Sequence, residues 1–290
     1  MTSKKDAQTK GRIIAHHGLK VLIDIGSEIV DWKPPRRETW VVGDIVHFKD
    51  GRPFTEKRRN ALKRAGYKGA EQILAANLDK LIITASCGEA FRLGLIDRFI
   101  VVANHEGIEP VIVLNKTDLA DSEEKIKIVE RYARLGYGVF CLSAKTGEGL
   151  NALAGSLNGK IASMVGHSGV GKTSIINMLV PGLERATAKI HEKTGQGRHT
   201  TSSAMLVKLP TGGEIIDSPG IRHFIPSGLT PADIAENFPG FNQLHGQCKF
   251  RNCKHLTEPK CAILTAVEEN ELNRDLYDSY KRLLESLEDN

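Results

Sequence analysis

Short, continuous runs of apolar residues alternate with polar segments through the middle of the chain. Such runs are typical of strands that are buried on both faces of a sheet covered by helices. Residues 174–180, which follow the apolar run Ile161–Val165 and a glycine-rich segment, are expected to form a helix. The pattern therefore predicts a central α/β domain. The predicted strands are Val111–Leu114, Val139–Leu142, Ile161–Val165 and Glu214–Ile216.

The start of the chain has a different pattern, in which segments with strand character are separated by turns that contain glycine or proline. These segments are 11–16, 20–30 and 38–48. Closely spaced short strands predict a small β-barrel, and an OB-type barrel matches this size. We therefore expect residues 1–70 to form an OB-type β-barrel domain.

Positive charge is concentrated in the same part of the chain. Residues 1–68 carry 16 Lys and Arg against 8 Asp and Glu, so their net charge is +8 although the whole chain has only +5. OB barrels bind oligonucleotides, and the barrel with its basic tract favours contact with RNA phosphates. A solvated face or linker has the same composition and remains the alternative. The tract contains Lys57, Arg58, Arg59, Lys63, Arg64 and Lys68.

A glycine-rich octapeptide lies between the third predicted strand and the predicted helix, which is the context of a phosphate-binding loop. Its glycines let backbone N–H groups turn toward phosphate oxygens, and the helix adds the positive end of its dipole. Lys172 would reach the β- and γ-phosphates, and the Thr173 hydroxyl would bind Mg²⁺. The expected phosphate site comprises Gly166, His167, Ser168, Gly169, Val170, Gly171, Lys172, Thr173 and Ser174.

The first central strand ends in Asn115-Lys116-Thr117-Asp118, so these side chains are expected at the carboxyl end of a buried strand, where ligands bind in such sheets. The Asp118 carboxylate can accept hydrogen bonds from N1–H and the exocyclic amine of guanine, whereas adenine has no matching pair of donors. After the next strand, Ser143-Ala144-Lys145 is expected at the same edge, where its backbone could bind the guanine O6.

The guanine-reading tetrapeptide precedes the phosphate loop, which is the reverse of the usual order in GTPases. A complete set of nucleotide-site motifs in a rotated order predicts a circularly permuted GTPase domain, to which we assign residues 71–228. GTP and GDP are the expected substrate and product, with Mg²⁺ as cofactor.

Two further segments complete this expected site. Asp217 ends the fourth strand and is a candidate for the Mg²⁺ environment, and the Gly220 N–H could contact the γ-phosphate. Residues 181–200 have no clear periodicity and are interpreted as a switch that orders on the γ-phosphate and Mg²⁺. Either Thr200 or Thr201 would close on the metal.

One expected part is missing. The position directly after Asp217-Ser218-Pro219-Gly220 is Ile221, where Ras-like enzymes have the glutamine that orients the attacking water. Hydrolysis is then either very slow or assisted by another residue. His199 is the nearest polar candidate, because a neutral imidazole can accept a proton from water.

Five cysteines and no export signal argue against a disulfide scaffold. Three of them cluster with a histidine as Cys248, Cys253, His255 and Cys261. Three thiolates and one imidazole are the ligand set of a closed structural zinc site, so we predict one structural Zn²⁺. His245 is a possible substitute ligand, and Cys87 and Cys141 are expected to be buried thiols.

The chain ends in a segment with helical periodicity. Its apolar positions predict an amphipathic helix that packs on the zinc region or on the GTPase domain, and we assign residues 229–290 to a small zinc-binding helical domain. The apolar positions are Leu272, Leu276, Tyr280, Leu283, Leu284 and Leu287.

The order of these motifs, with Gly197-Arg198-His199-Thr200-Thr201 between the phosphate loop and Asp217, resembles the ribosome small-subunit-dependent GTPase RsgA (YjeQ) family. The resemblance implies an OB barrel, a permuted GTPase domain and a zinc domain. It also implies late maturation of the small ribosomal subunit, contact with its rRNA and GTP hydrolysis stimulated by that subunit. The family's proposed catalytic histidine falls on His199, and Lys172 of the phosphate loop is the second expected catalytic residue. His167, Thr173 and Ser202 depart from the usual pattern.

No apolar stretch approaches membrane length, so we expect a cytoplasmic protein with no membrane partner, and a monomer. Two alternatives stay open. The chain could be a permuted GTPase that serves the large subunit, or an RNA-binding module that holds GTP only as a structural ligand.

Overall fold

The computed structural model describes residues 9–17, 19–65, 71–183, 204–217 and 229–288. Within these ranges the chain forms thirteen strands and seven α-helices. The strands are β1 (Lys10–His17), β2 (Lys20–Asp24), β3 (Ile29–Trp32), β4 (Ile45–Lys49), β5 (Arg52–Thr55), β6 (Ala61–Ala65), β7 (Glu71–Ala76), β8 (Lys80–Ser86), β9 (Glu109–Asn115), β10 (Gly138–Cys141), β11 (Ile161–Val165), β12 (Ala204–Lys208) and β13 (Glu214–Asp217). The helices are α1 (Leu93–His105), α2 (Ser122–Arg134), α3 (Leu150–Ser156), α4 (Lys172–Leu179), α5 (Pro231–Asn237), α6 (Ala262–Glu268) and α7 (Arg274–Glu288).

Five parallel strands, in the order β10-β9-β8-β11-β13, form the centre of the fold, and β12 joins β13 antiparallel at one side. Every residue of β8 and β11 is buried. The continuous apolar run of β11 predicts this burial, whereas β8 was not among the predicted strands. In this sheet β8 separates the strand that ends in the guanine-reading motif from the strand that ends in the phosphate loop. All four predicted central strands are confirmed, and so is the helix after the phosphate loop.

The N-terminal strands form antiparallel ladders, β1 with β2 and β4, β2 with β3, and β4 with β5. β1 also pairs with β12, with Ala15 opposite Met205, so these strands continue the central sheet. The predicted strand 20–30 is wrong as one element, because Gly26 has a φ of +83° and the chain turns between β2 and β3. The predicted strand 38–48 begins only at Ile45, since Gly43 turns the chain with a φ of +96°.

Helix α7 is amphipathic, as its spacing predicts, and it packs against α1 and α5. The fully buried Asp97 of α1 contributes to this contact. Its carboxylate accepts a hydrogen bond from Ser279 of α7 and another from the Tyr132 hydroxyl of α2, each at 2.5 Å. Because a buried carboxylate is costly without partners, these two hydroxyls specify where α7 docks on the central domain.

The basic tract is largely engaged in contacts within the chain. The Arg58 guanidinium binds the fully buried Asp44 carboxylate through Nε and Nη2, at 2.6 and 2.8 Å, and this bond raises the pKa of Arg58. Arg59 donates to Asp79 and to the carbonyl oxygen of Leu78, both at 2.8 Å. These two residues therefore help to hold the N-terminal strands in place, and their guanidinium groups already pair with carboxylates.

None of the helices in the described ranges is both long enough and apolar enough to span a bilayer.

Candidate functional site

The phosphate loop connects β11 to α4 in a conformation that requires glycine at two positions. Gly166 has a φ of +143°, and a Cβ there would lie 2.2 Å from the carbonyl oxygen of Thr84. Gly171 has a φ of +93°, and a Cβ there would lie 2.3 Å from the amide nitrogen of Asn115. Side chains at either position would therefore push the loop away from β8 or β9.

Lys172 is buried beneath this loop at the start of α4. Its Nζ donates to the carbonyl oxygens of Gly166 at 2.7 Å and His167 at 2.8 Å. Thr173 and Ser174 follow on the exposed first turn of the helix. The loop thus presents a buried cation, exposed hydroxyls and a helix N-terminus on one side, which is a suitable environment for a polyphosphate with Mg²⁺.

Asn115 connects the guanine-reading segment to the phosphate loop. Its side-chain amide donates to the carbonyl oxygen of Val170 at 2.8 Å, and its carbonyl oxygen accepts the backbone N–H of Ala144 at 3.0 Å. Lys116, with a φ of +62°, adds a bond from Nζ to the carbonyl oxygen of Gly169 at 2.8 Å. The structure therefore brings together three motifs that are separated along the chain.

Asp118 is held in an orientation suited to base recognition. The buried Ser143 donates its hydroxyl to one carboxylate oxygen at 2.7 Å, and the exposed Lys145 lies 3.6 Å from the other. The Ser143 hydrogen bond is the largest of the effects that lower the pKa of Asp118 below its usual value, and the charge of Lys145 contributes in the same direction. Asp118 is consequently ionised at neutral pH, so its carboxylate acts only as a hydrogen-bond acceptor.

Asp121 also orders this edge, although its sequence context did not single it out. Its carboxylate accepts the Gly88 backbone N–H through both oxygens, at 2.9 and 3.1 Å, and so ties the end of β8 to the start of α2. An aspartate at a helix start is common, and only the tertiary contact distinguishes this one.

Asp217 ends β13 next to the phosphate-loop strand, because Ile216 pairs with Ser163 of β11. It therefore lies at the same carboxyl edge as Asn115 and Gly166. Four predicted site residues fall outside the described ranges, namely His199, Thr200, Thr201 and Gly220.

The four predicted zinc ligands form a compact cluster, and all their ligand atoms lie within 4.8 Å of one another. The Cys248 and Cys261 sulfurs are 3.9 Å apart, and the His255 Nδ1 lies 3.5 and 3.3 Å from them. A tetrahedral zinc site with Zn–S bonds of ~2.3 Å separates its sulfurs by about 3.8 Å, so the cluster fits this ion. In the absence of a cation, burial raises the pKa of Cys253 to about 12.

Neighbouring groups position this cluster. The Tyr277 and Tyr280 hydroxyls of α7 donate to the carbonyl oxygens of His255 and Lys254, at 2.8 and 2.7 Å. Burial raises the pKa of Glu258, but hydrogen bonds from the backbone N–H groups of Lys254, Leu256 and Thr257 outweigh it and lower the pKa to about 2. The segment 248–261, called the knuckle, is thus fixed to α7 and to the ionised carboxylate of Glu258.

The other candidates at cysteine and histidine positions have different outcomes. His245 is not part of the cluster in the described structure. Cys87 is buried as predicted, and burial raises its pKa to about 11, whereas Cys141 is only half-buried.

Comparison with known families and proteins adds independent findings. Residues 55–225 match the family model described as RsgA GTPase. A protein of Actinobacillus succinogenes named small ribosomal subunit biogenesis GTPase RsgA is 38% identical over 262 residues, covering 85% of this chain and 74% of its own length. A protein of the same name from Azotobacter vinelandii is 36% identical over 295 residues, covering 97% and 86%.

Two solved structures are similar over nearly the whole chain. YjeQ from Thermotoga maritima has a TM-score of 0.78 at 29% identity, covering 96% of this chain and 98% of its own. YloQ, described as a circularly permuted GTPase, has a TM-score of 0.75 at 26% identity, covering 97% and 95%.

Proposed function

The chain belongs to the RsgA GTPase family and has a circularly permuted GTPase fold, and from this we propose that it hydrolyses GTP to GDP and phosphate in the biogenesis of the small ribosomal subunit. Its relatives are named for that process. The observation that carries the proposal is the bridge made by Asn115, which joins the guanine-reading segment to the phosphate loop.

Base selection follows from the state of Asp118. An ionised carboxylate accepts the two donors on the guanine edge, while the Ser143 hydroxyl prevents the side chain from rotating away. Adenine would leave this carboxylate without matching donors, which is costly for a site built around them. Asn115, Lys116, Ala144 and Lys145 complete the base side of the proposed site.

Phosphate binding belongs to the loop and the residues at its ends. Backbone N–H groups of residues 166–174 would surround the α- and β-phosphates, and Lys172 would neutralise charge on the β- and γ-phosphates. Mg²⁺ supplies charge neutralisation between the phosphates when it is bound. Thr173 is proposed to hold it, with Asp217 near by and with Thr200 or Thr201 closing from the switch. Gly220 would contact the γ-phosphate.

His199 is proposed as the residue that positions the attacking water, with Lys172 stabilising the charge that develops on the phosphate. Ile221 has no hydrogen-bonding group and cannot take the place of the usual glutamine. His199 directly precedes Thr200 in the proposed switch, and an imidazole accepts a proton near neutral pH.

We assign the subunit-docking surface to the N-terminal residues 1–70. The pairing of β1 with β2 and β4, and of β4 with β5, supports an OB-type barrel. Exposed cations on the segment between β3 and β4 are available for rRNA phosphates, whereas Arg58 and Arg59 already pair with carboxylates. The exposed cations are Lys33, Arg36 and Arg37.

The remaining assignments follow the same division of the chain. Residues 71–228 would form the GTPase domain, and residues 229–290 a domain stabilised by one structural Zn²⁺ on Cys248, Cys253, His255 and Cys261. The first boundary lies within the β6–β7 hairpin. A monomer that acts in the cytoplasm, where small subunits assemble, agrees with this function.

The test is GTP turnover by the full chain alone, with purified small subunits and with purified large subunits. We expect slow turnover by the free protein and stimulation only by the small subunit. Stimulation by the large subunit would favour a large-subunit GTPase. Tight GTP binding without turnover under any condition would favour an RNA-binding module with a structural nucleotide.

A further inference from the structure

A cleft of about 630 Å³ lies between α1 and α7, next to the phosphate loop. The first turn of α1 and residue Arg98 form one wall, and residues between Ser279 and Ser286 of α7 form the other. His167 of the phosphate loop lines it as well, and this side chain is exposed.

Among the described residues, the cleft is lined by three guanidinium groups, those of Arg92, Arg98 and Arg282, and by no carboxylate. In the described part of the chain, none of the three has a carboxylate within salt-bridge distance. Arg92 donates to the carbonyl oxygens of Glu89 and Phe91, and Arg98 donates to the Ser286 hydroxyl. Burial lowers the pKa of Arg98.

Two carboxylates interact with Arg282 electrostatically, but neither lines the cleft. Asp97 is fully buried behind it, where Tyr132 and Ser279 already donate to it, and Asp278 pairs with Arg274 and Lys281. A concave surface with several cations and no lining anion has a positive potential that favours an anionic ligand.

The lining also includes apolar side chains, among them Phe91, Leu95 and Leu283. Guanidinium groups bind phosphates through paired hydrogen bonds, and neighbouring apolar and aromatic groups accept unstacked bases. An RNA strand offers both features in alternation. An acidic peptide would offer the charge but has no planar bases.

We propose that the cleft between α1 and α7 binds phosphodiester groups of an rRNA strand of the small subunit, an inference that rests on the proposed function. Because His167 lines the cleft, an RNA strand bound there contacts the phosphate loop itself. This second contact is separate from the N-terminal surface and gives the bound subunit a direct route to the nucleotide site.

The experiment compares the full chain with the Arg92→Glu/Arg282→Glu variant. Both side chains are exposed, whereas Arg98 is half-buried and contributes to the helix contact. Lys127→Glu/Arg134→Glu on α2 is the matched control, because it changes the net charge equally at exposed positions outside the cleft. Binding to a labelled short single-stranded RNA and to purified small subunits is measured over a range of salt concentrations.

We expect the cleft variant to bind both probes more weakly and the control to behave as the unsubstituted protein. Loss of two phosphate contacts should reduce the slope of log affinity against log salt by roughly 1.4 for single-stranded RNA. Melting temperatures check the fold. If the charge reversal lowers the melting temperature, the Arg92→Gln/Arg282→Gln variant replaces it. This variant must also bind RNA and small subunits more weakly than the unsubstituted protein, by a smaller factor.

Three results would overturn the inference. One is unchanged affinity and salt slope in the folded cleft variant. Another is competition by GMP or inorganic phosphate as effective as that by RNA, which would identify a small-anion site. A third is displacement of the RNA by a poly-glutamate peptide at equal charge. If the unsubstituted protein fails to bind the subunit at all, the proposed function fails, which is a distinguishable outcome.

Discussion

At the scale of single residues, short polar contacts at the ends of parallel strands determine the chemistry of the proposed site. Asn115 uses both atoms of its side-chain amide on other motifs, at Val170 and Ala144. Ser143 holds Asp118, and Lys172 is anchored beneath the loop that it serves. The proposed site is therefore organised by its own side chains, which lowers the entropic cost of binding a matching ligand.

The first prediction concerns Asp118. Asp118→Asn should shift base preference from guanine toward xanthine, because an amide can donate to the xanthine carbonyl but cannot accept from both guanine donors. Loss of the charge-assisted pair should weaken GTP binding roughly 10- to 100-fold. Titration with GTP and with xanthosine triphosphate measures both effects. Unchanged GTP affinity would show that Asp118 does not read the base.

The second prediction concerns His199. His199→Ala should lower small-subunit-stimulated hydrolysis about a hundredfold or more, while GTP affinity stays nearly the same, because a residue that positions water acts mainly in the transition state. Single-turnover rates at saturating subunit provide the measurement. Equal rates for the two proteins would remove His199 from the mechanism. His191→Ala, in the same segment, is the control and should keep the full rate.

At the scale of elements, two local units depend on charged or metal-binding groups for their packing. The knuckle around Cys248–Cys261 has few apolar residues of its own, and it is held by its four ligand atoms and by hydroxyls from α7. The N-terminal strands are held by the buried ion pair of Asp44 with Arg58, which closes the segment between β3 and β4. A single substitution at one of these charged or metal-binding groups should therefore loosen or destabilise each unit.

For the knuckle, purified protein should contain one Zn²⁺ per chain, and Cys253→Ala should release it, because three ligands do not retain a structural ion as four do. Metal analysis and proteolysis of the C-terminal region measure the loss. GTP affinity should persist. Cys141→Ala is the matched control and should keep the metal. Protein that is prepared without chelator and contains no zinc would contradict the assignment.

For the ion pair, Arg58→Ala should reduce the free energy of unfolding by about 3–5 kcal/mol, because it leaves the buried Asp44 carboxylate without its partner. Arg52→Ala, on the exposed edge of β5, should change it by less than ~0.5 kcal/mol. Denaturant titration gives both values. The Asp44→Ala/Arg58→Ala double variant should be less destabilised than the sum of the single variants. If the two losses in the free energy of unfolding simply add in the double variant, Asp44 and Arg58 are not coupled.

At the scale of the whole molecule, the units are joined by one continuous sheet. β1 pairs with β12, so removal of the N-terminal strands would expose the edge of β12 and disturb the strand beside the phosphate loop. Deletion of residues 1–68 is consequently a poor test of docking. Substitutions of exposed residues can remove the positive charge of the N-terminal region while preserving the sheet.

Reversal of Lys33, Arg36 and Arg37 to Glu should therefore abolish most stimulation by the small subunit, while slow basal hydrolysis continues. Docking through phosphate contacts weakens steeply as salt rises, through release of counterions, so the variant should also show a shallower salt dependence. Turnover against subunit concentration at several salt concentrations tests this. Lys127→Glu/Arg134→Glu is the control. Full stimulation of the variant would place docking elsewhere.

The sequence alone determined the parts whose chemistry is local. Residues that are close in the chain, where spacing and residue type are sufficient, form the proposed phosphate loop, the proposed guanine-reading tetrapeptide, the proposed zinc ligand set, the strands β9, β10, β11 and β13, and the amphipathic α7. The rotated order of the motifs likewise needs no coordinates. Among the N-terminal strands, the predicted boundaries failed where glycines with positive φ turn the chain.

Only the tertiary structure decided which distant groups meet. Val170 is 55 residues from Asn115, and α7 meets α1 through Ser279 and Asp97, 182 residues apart. In the sequence, Arg58 and Arg59 look like part of a free basic surface. In the structure, Arg58 pairs with the buried Asp44 and Arg59 pairs with Asp79. Partners of this kind depend on chain topology and packing, and local periodicity carries no information about either.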